Sequence, residues 1–160
     1  MEIQLKVVTG TIEYPDGKKY EGDIFNDTPH GEGVATHPDG SRYVGGFSNG
    51  LYHGYGHIQL ADGSSYKGDY SKGQFDGYGQ LTDADGTSYT GSFFGGKQHG
   101  HGTLVQPDKS KWVGEWNNGQ LSGPATLFLP TGEKIEGTFI NGEFVYNKES
   151  VWSPSTKMIV

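Results

Sequence analysis

A period of 23 residues constrains this chain more than any other feature. Stepping from Tyr20 by that interval lands on Tyr43, Tyr66, Tyr89, Trp112 and Ile135. The spacing holds without insertion or deletion over five units, residues 20–134. Such a fixed self-similar spacing marks an array, in which each unit is one supersecondary element that cannot bury its apolar side alone. The central unit reads Tyr66-Lys67-Gly68-Asp69-Tyr70, then Gly73, Gly77-Tyr78-Gly79, Leu81 and Asp85-Gly86.

Glycine and low hydrophobicity, taken alone, would suggest disorder. The chain has 28 glycines and only 32% hydrophobic residues, against 13% aromatic. Yet 26 of those glycines fall in just five columns of the 23-residue frame, Gly46 and Gly95 being the exceptions, and disorder does not produce columns. The sequence therefore predicts a folded chain too poor in aliphatic residues for a thick two-layer core. It should be thin and elongated, with aromatic rings supplying most of the buried area.

Within a unit the period is two. Tyr43, Gly45 and Phe47 share one face of a strand, as do Tyr66, Gly68, Tyr70, then Tyr89, Gly91, Phe93, then Trp112, Gly114, Trp116. A second strand alternates Gly54, Gly56, Ile58, Leu60. Helix is disfavoured, because each glycine in a helix interior costs about 1 kcal/mol relative to alanine. Two turn signals join the strands. One is Asn-Gly (Asn49-Gly50, Asn118-Gly119, Asn141-Gly142), read here with a loop of several residues after it that contains Tyr52, Phe75 and Leu121. The other is the Asp-Gly turn (Asp39-Gly40, Asp62-Gly63, Asp85-Gly86), whose glycine takes positive φ. Lys109 stands in that glycine column and should be mildly strained, and Thr131 replaces the aspartate. Each unit is thus a β-hairpin, repeating every 9.6 Å or so, and about a dozen strands make a ribbon on the order of 55 Å long. The aromatic rings are expected to cover the bare Gly-x-Gly backbone of neighbouring strands and to permit strong curvature.

The ends depart from the frame. An apolar-rich run, Ile3 to Val8, reads as a first strand, and residues 1–19 as a half repeat. A partial sixth unit covers 135–144, and residues 145–160 form a terminal cap or tail. The outer strands would be unprotected edges, which leaves a homodimer through them open.

Tyr-x-Gly-x-aromatic, a spaced Gly, then Gly-x-Gly and Asp-Gly at this period resembles the MORN (membrane occupation and recognition nexus) repeat over residues 10–144. The resemblance implies an all-β fold, an elongated, curved single-layer antiparallel sheet of consecutive hairpins. It also implies a scaffold or binding module, since similar arrays occur in junctional-membrane proteins, cytoskeletal scaffolds, lipid kinases and a lysine methyltransferase. Departures from the pattern are Asp27, Ala125, Pro124 and Ile135.

Catalytic constellations do not assemble. Gly46-Phe47-Ser48-Asn49-Gly50 matches the G-x-S-x-G nucleophile pattern but lacks its strand-to-helix context. No Gly-x-Gly extends to a phosphate-binding loop. His30, His53 and His99 share a column, but neighbours there stand about 9.6 Å apart, too far for one ion. The aspartate column is turn chemistry. No cofactor or metal is expected, and no enzyme activity. A formal charge of −7 opposes nucleic acid and anionic lipid as partners. Cysteine is absent, so thiol chemistry is excluded. The first residues show no signal-peptide pattern, which makes a cytoplasmic location the default expectation, with attachment to membrane or cytoskeleton open.

The expected function is a non-enzymatic scaffold whose concave, aromatic-lined face holds a helix or extended peptide of a partner protein. The alternative is peripheral phospholipid binding, or a targeting module of a larger protein. A single layer is expected to leave part of its aromatics open to solvent or partner. The candidate binding residues are Tyr43, Phe47, Tyr52, Tyr55, Tyr66, Tyr70, Phe75, Tyr78, Tyr89, Phe93, Trp112 and Trp116. Among them Tyr52, Phe75, Tyr55 and Tyr78 are not demanded by the repeat.

Overall fold

The computed structural model describes residues 5–146 and residue 148. β1 (Val8–Glu13) comes first, followed by one strand pair per repeat. These are β2 (Lys19–Phe25) and β3 (Thr28–Thr36), β4 (Arg42–Ser48) and β5 (Leu51–Gln59), and β6 (Ser65–Ser71) and β7 (Gln74–Thr82). Then come β8 (Ser88–Phe94) and β9 (Lys97–Val105), and β10 (Lys111–Asn117) and β11 (Gln120–Phe128). β12 (Lys134–Ile140) and the short β13 (Glu143–Tyr146) complete one 13-stranded open sheet in sequence order. Every pairing is antiparallel, as expected for hairpins chained by short connections.

The Ile3–Val8 expectation shifts. Residues 3 and 4 lie outside the described residues, Leu5–Val7 are not in a strand, and β1 begins at Val8. Pairing to β2 then runs from Val8 opposite Ile24 to Glu13 opposite Lys19, which places Ile12 beside the buried Tyr20. At the other end Val145 and Tyr146 still pair with β12, and the rest of the 145–160 tail, Lys148 apart, lies outside the described residues.

The Asn-Gly connection is a two-residue turn, not a several-residue loop. Asn49 (φ 49°) and Gly50 (φ 81°) are both left-handed, the signature of a type I′ turn, whose twist matches that of the flanking strands. Asn26-Asp27, Lys72-Gly73, Gly95-Gly96, Asn118-Gly119 and Asn141-Gly142 do the same. Strand pairing resumes at once, with Ser48 opposite Leu51 and Phe47 opposite Tyr52. Tyr52, Phe75 and Leu121 are therefore strand residues. Four of the turn glycines also donate their N–H to the preceding unit: Gly50 to the Pro29 carbonyl, Gly73 to Tyr52, Gly96 to Phe75 and Gly119 to Gln98, at 2.8–2.9 Å. This ladder locks consecutive units in register.

Register within a unit breaks once. Between the pairs Gly45–Gly56 and Phe47–Tyr52, the single residue Gly46 faces three residues, His53 to Tyr55. The same irregularity recurs after Gly22, Gly68, Gly91 and Gly114. An excess of two residues bends the strand but preserves the in–out alternation, which an excess of one would reverse. The first glycine of each Gly-x-Gly sits in this bulge with positive φ, for example 78° at Gly54 and 81° at Gly100.

Asp-Gly connections take the expected form. In His37–Ser41 the Gly40 N–H bonds the His37 carbonyl, and the Asp39 carboxylate accepts the Ser41 N–H at 2.8 Å. Hydrogen bonds to Ser41 hold the Asp39 carboxyl below the usual range, and those to Ser64, Thr87 and Ser110 do so for Asp62, Asp85 and Asp108. Lys109 does occupy the left-handed position, at φ 74°.

Candidate functional site

The two faces of the sheet divide the aromatic residues sharply. On one face Tyr20, Tyr43, Tyr66 and Tyr89 are 0–1% exposed, and Phe47, Tyr70, Phe93 and Trp116 are also buried. These rings are not among the aromatics that the single layer leaves open, for a geometric reason. Each tyrosine lies flat over the second glycine of the neighbouring Gly-x-Gly: a Cβ on Gly56 would overlap the Tyr43 ring, and one on Gly79 the Tyr66 ring. In the two central units a second ring then closes over the first. Tyr52 stacks on Tyr43 (centroids 3.8 Å, planes 9° apart) and Phe75 on Tyr66 (3.7 Å, 8°). Phe47, Tyr70 and Phe93 fill the flanks edge-on at 5.1–5.2 Å. Backbone, ring and ring make three stacked levels within one sheet, so the sheet supplies its own cover.

The hydroxyls are accounted for as well. Tyr20, Tyr43, Tyr66 and Tyr89 donate to the carbonyls of Asp23, Gly46, Asp69 and Ser92, the residues opposite each bulge, at 2.6–2.9 Å. Tyr52 meets Nε2 of His37 at 2.9 Å. Tyr70 alone keeps a buried hydroxyl without a partner among the described residues. Burial pushes these phenols upward, to about 12 for Tyr20 and Tyr89 and higher for Tyr43, Tyr66 and Tyr70.

The first glycine of each pair is not covered by an aromatic ring. Nothing lies within 4 Å of a Cβ built on Gly54, and Gly77 meets the Asp69 side chain instead. Ring coverage thus applies to one glycine of the two, and the bulge explains the other. In the fifth unit Ala125 stands in the column of the receiving glycine. Trp112 is half-buried and packs on Phe139 and Phe144 at 5.3 and 4.9 Å, while Trp116 donates its indole N–H to the Gly102 carbonyl.

Of the twelve candidate binding residues, Tyr43, Phe47, Tyr52, Tyr66, Tyr70, Phe75, Tyr89, Phe93 and Trp116 belong to this packed layer, and Trp112 to its end. Truncating Tyr66 and Tyr70 together would remove core, so such a variant cannot report on a partner. Tyr55 and Tyr78 point the other way. They pair across strands with Asp69 and Ser92 and are 59% and 61% exposed. Sequence alternation carries this signal: a residue between two glycines of the ring-bearing face must lie on the opposite face.

That opposite face carries, in strand order at this level, Glu32, Tyr55, Asp69, Tyr78, Ser92, His101, Glu115 and Pro124. Asp69 accepts the Tyr78 N–H at 3.0 Å, and His101 Nδ1 lies 3.4 Å from Glu115. Beyond Tyr78 the face is recessed. A depression of about 490 Å³ is lined by His101, Val113, Glu115, Pro124, Thr126 and Glu136. A second, of about 580 Å³, shares Val113 and runs on to Lys111 and Phe128. Among the described residues no group of three or more His, Asp or Glu could hold a metal ion. The Gly46–Gly50 run is a strand end and a turn, with no helix behind it.

Comparison with known proteins agrees with this architecture. The MORN repeat family model matches residues 20–42, 43–65, 66–88, 89–111 and 112–134. No curated protein matches the sequence significantly. Among solved structures, the chain is similar to the TCP domain of Drosophila melanogaster SAS-4 (dCPAP), solved in complex with a Proline Rich Motif of Ana2 (dSTIL). The TM-score is 0.57 at 13% identity, covering 94% of this chain and 84% of that one, a likeness of fold alone. The TCP10 domain of Danio rerio CPAP, in complex with a STIL peptide, matches at 18% identity over 84% of each chain, with a TM-score of 0.23 too low to bear on the argument. Five consecutive matches, in phase with the five strand pairs, establish that the chain belongs to the MORN repeat family.

Proposed function

We propose that this chain is a non-enzymatic scaffold that holds a segment of a partner protein on the face presenting Tyr55 and Tyr78. The observation that carries this reading is their exposure. Nine of the ten other candidate aromatics pack into the self-covered layer, and Trp112 caps its end, whereas these two stand free on consecutive repeats without a packing role. Tyrosines placed so are typical interface anchors, because they offer a large rigid surface with a polar tip. The SAS-4 domain, of similar fold, is in complex with a Proline Rich Motif of another protein, which supports this class of partner. The scaffold role replaces the concave aromatic groove with the opposite face.

The test compares the wild-type chain with Tyr55→Ser/Tyr78→Ser in affinity capture from cells of the source organism. Melting temperature should be unchanged, because neither ring is packed. The double variant should lose the captured protein, and retention of the same protein at the same level would reject this face. The formal charge of −7 opposes anionic lipid, so phospholipid vesicles are expected to leave the chain in solution at low salt.

A further inference from the structure

We infer that the segment held over Tyr55 and Tyr78 is proline-rich, carries Lys or Arg, adopts the polyproline II conformation, and runs across the strands. The inference rests on the reading of this face as a binding face and names the chemistry of its occupant.

Three observations lead to it. The first is spacing. Tyr55 on β5 and Tyr78 on β7 occupy the same place in successive units, with β6 between them. Two strand spacings make about 9.6 Å. A polyproline II helix turns once in three residues of about 3.1 Å, a repeat of about 9.3 Å. Prolines three apart would therefore meet one tyrosine each. Two turns of an α-helix cover about 10.8 Å and drift out of phase by more than 1 Å per unit.

The second observation is the state of the backbone. β5, β6 and β7 are each bonded to a neighbour on both sides. No strand can be added there, so an occupant must have a backbone that needs no ladder. Polyproline II has no internal hydrogen bonds and remains content in water. Aromatic rings are the usual surface against which proline rings dock.

The third is charge. The level that holds the tyrosines also holds Glu32 before them, Asp69 between them and Glu115 beyond, without Lys or Arg from Glu32 to Pro124. The nearest cation on this face is the exposed Lys67, one alternation along β6 from Asp69. Glu115 is 61% exposed. Basic side chains interspersed with the prolines would meet these carboxylates, and an acidic segment would be repelled.

The experiment measures binding of labelled peptides of about a dozen residues by fluorescence anisotropy. One has Pro at every third position with two Arg between. A second has the same composition with prolines shifted out of the three-residue period, and a third has Glu in place of Arg. An amphipathic helical peptide is the fourth. The first should bind best, weaken on addition of salt, and lose about tenfold in affinity with Tyr78→Ser. Equal binding of the shifted or Glu-bearing peptide would overturn the proposal. Tyr-dependent binding of the helical peptide instead would overturn the polyproline assignment and leave the scaffold reading standing. Failure of every peptide, together with capture unaffected by Tyr55→Ser/Tyr78→Ser, would remove both.

Discussion

Each buried phenol in the repeat has a carbonyl to satisfy, with one exception. Tyr70 stands where the neighbouring units have Phe47 and Phe93, and its hydroxyl is buried without a partner. A buried hydroxyl without a hydrogen bond costs about 1–3 kcal/mol. Tyr70→Phe keeps the edge-on contacts with Tyr66 and Tyr43 and removes that cost. We predict a gain of about 1 kcal/mol, seen as a higher midpoint in chemical denaturation. A loss of stability would mean that the hydroxyl is satisfied in solution. At this scale the sequence was partly legible. The tyrosine column and the left-handed turn residues, Lys109 included, could be read from spacing. The roles of Phe75 and Tyr52 could not, because stacking on a ring nine residues away in sequence depends on where a bend brings the strand.

The repeating element is a matched pair, a ring and the glycine that receives it. Gly79 has an ordinary backbone conformation, yet a Cβ there would overlap the hydroxyl and ring of Tyr66. Tyr66 cannot withdraw, since Phe75 lies on its other side at 3.7 Å. Gly79→Ala is therefore expected to destabilise the chain by about 1–3 kcal/mol, measured by urea denaturation. A neutral outcome would show that the layer is loose. In the fifth unit, with Ala125 in the glycine column, Trp112 keeps the edge-on contact to the next unit, on Phe139, and also meets Phe144. The hairpin and the Asp-Gly turn were legible at this scale, because both are local. The bulge was not. Its glycines look like covering positions until the register shows one residue facing three, and Tyr52, Phe75 and Leu121 look like loop residues until that register pairs them with Phe47, Tyr70 and Trp116.

Across the whole molecule the buried tyrosines tie stability to pH on the alkaline side. In the unfolded chain a phenol ionises near pH 10. Burial raises it to about 12 for Tyr20 and Tyr89 and upward for Tyr43, Tyr52, Tyr66 and Tyr70. A raised folded-state value means that the neutral form is favoured by folding. The contribution is complete below about pH 10 and is lost as the pH climbs toward about 12. Cooperative loss of β-sheet circular dichroism in that window, coincident with tyrosinate absorbance, is the expected result. Gradual ionisation with the sheet intact would contradict the packed layer. The sequence by itself determined the repeat, the hairpin unit and the glycine columns, since all of these follow from spacing and from local backbone preference. Only the tertiary structure decided which face is free. Period-two alternation says that Tyr43 and Tyr55 lie on opposite sides, but not that one side would be filled. That depended on rings closing over one another, within a unit as Tyr52 does on Tyr43 and between units as Tyr70 does on Tyr43, contacts that alternation along one strand does not specify.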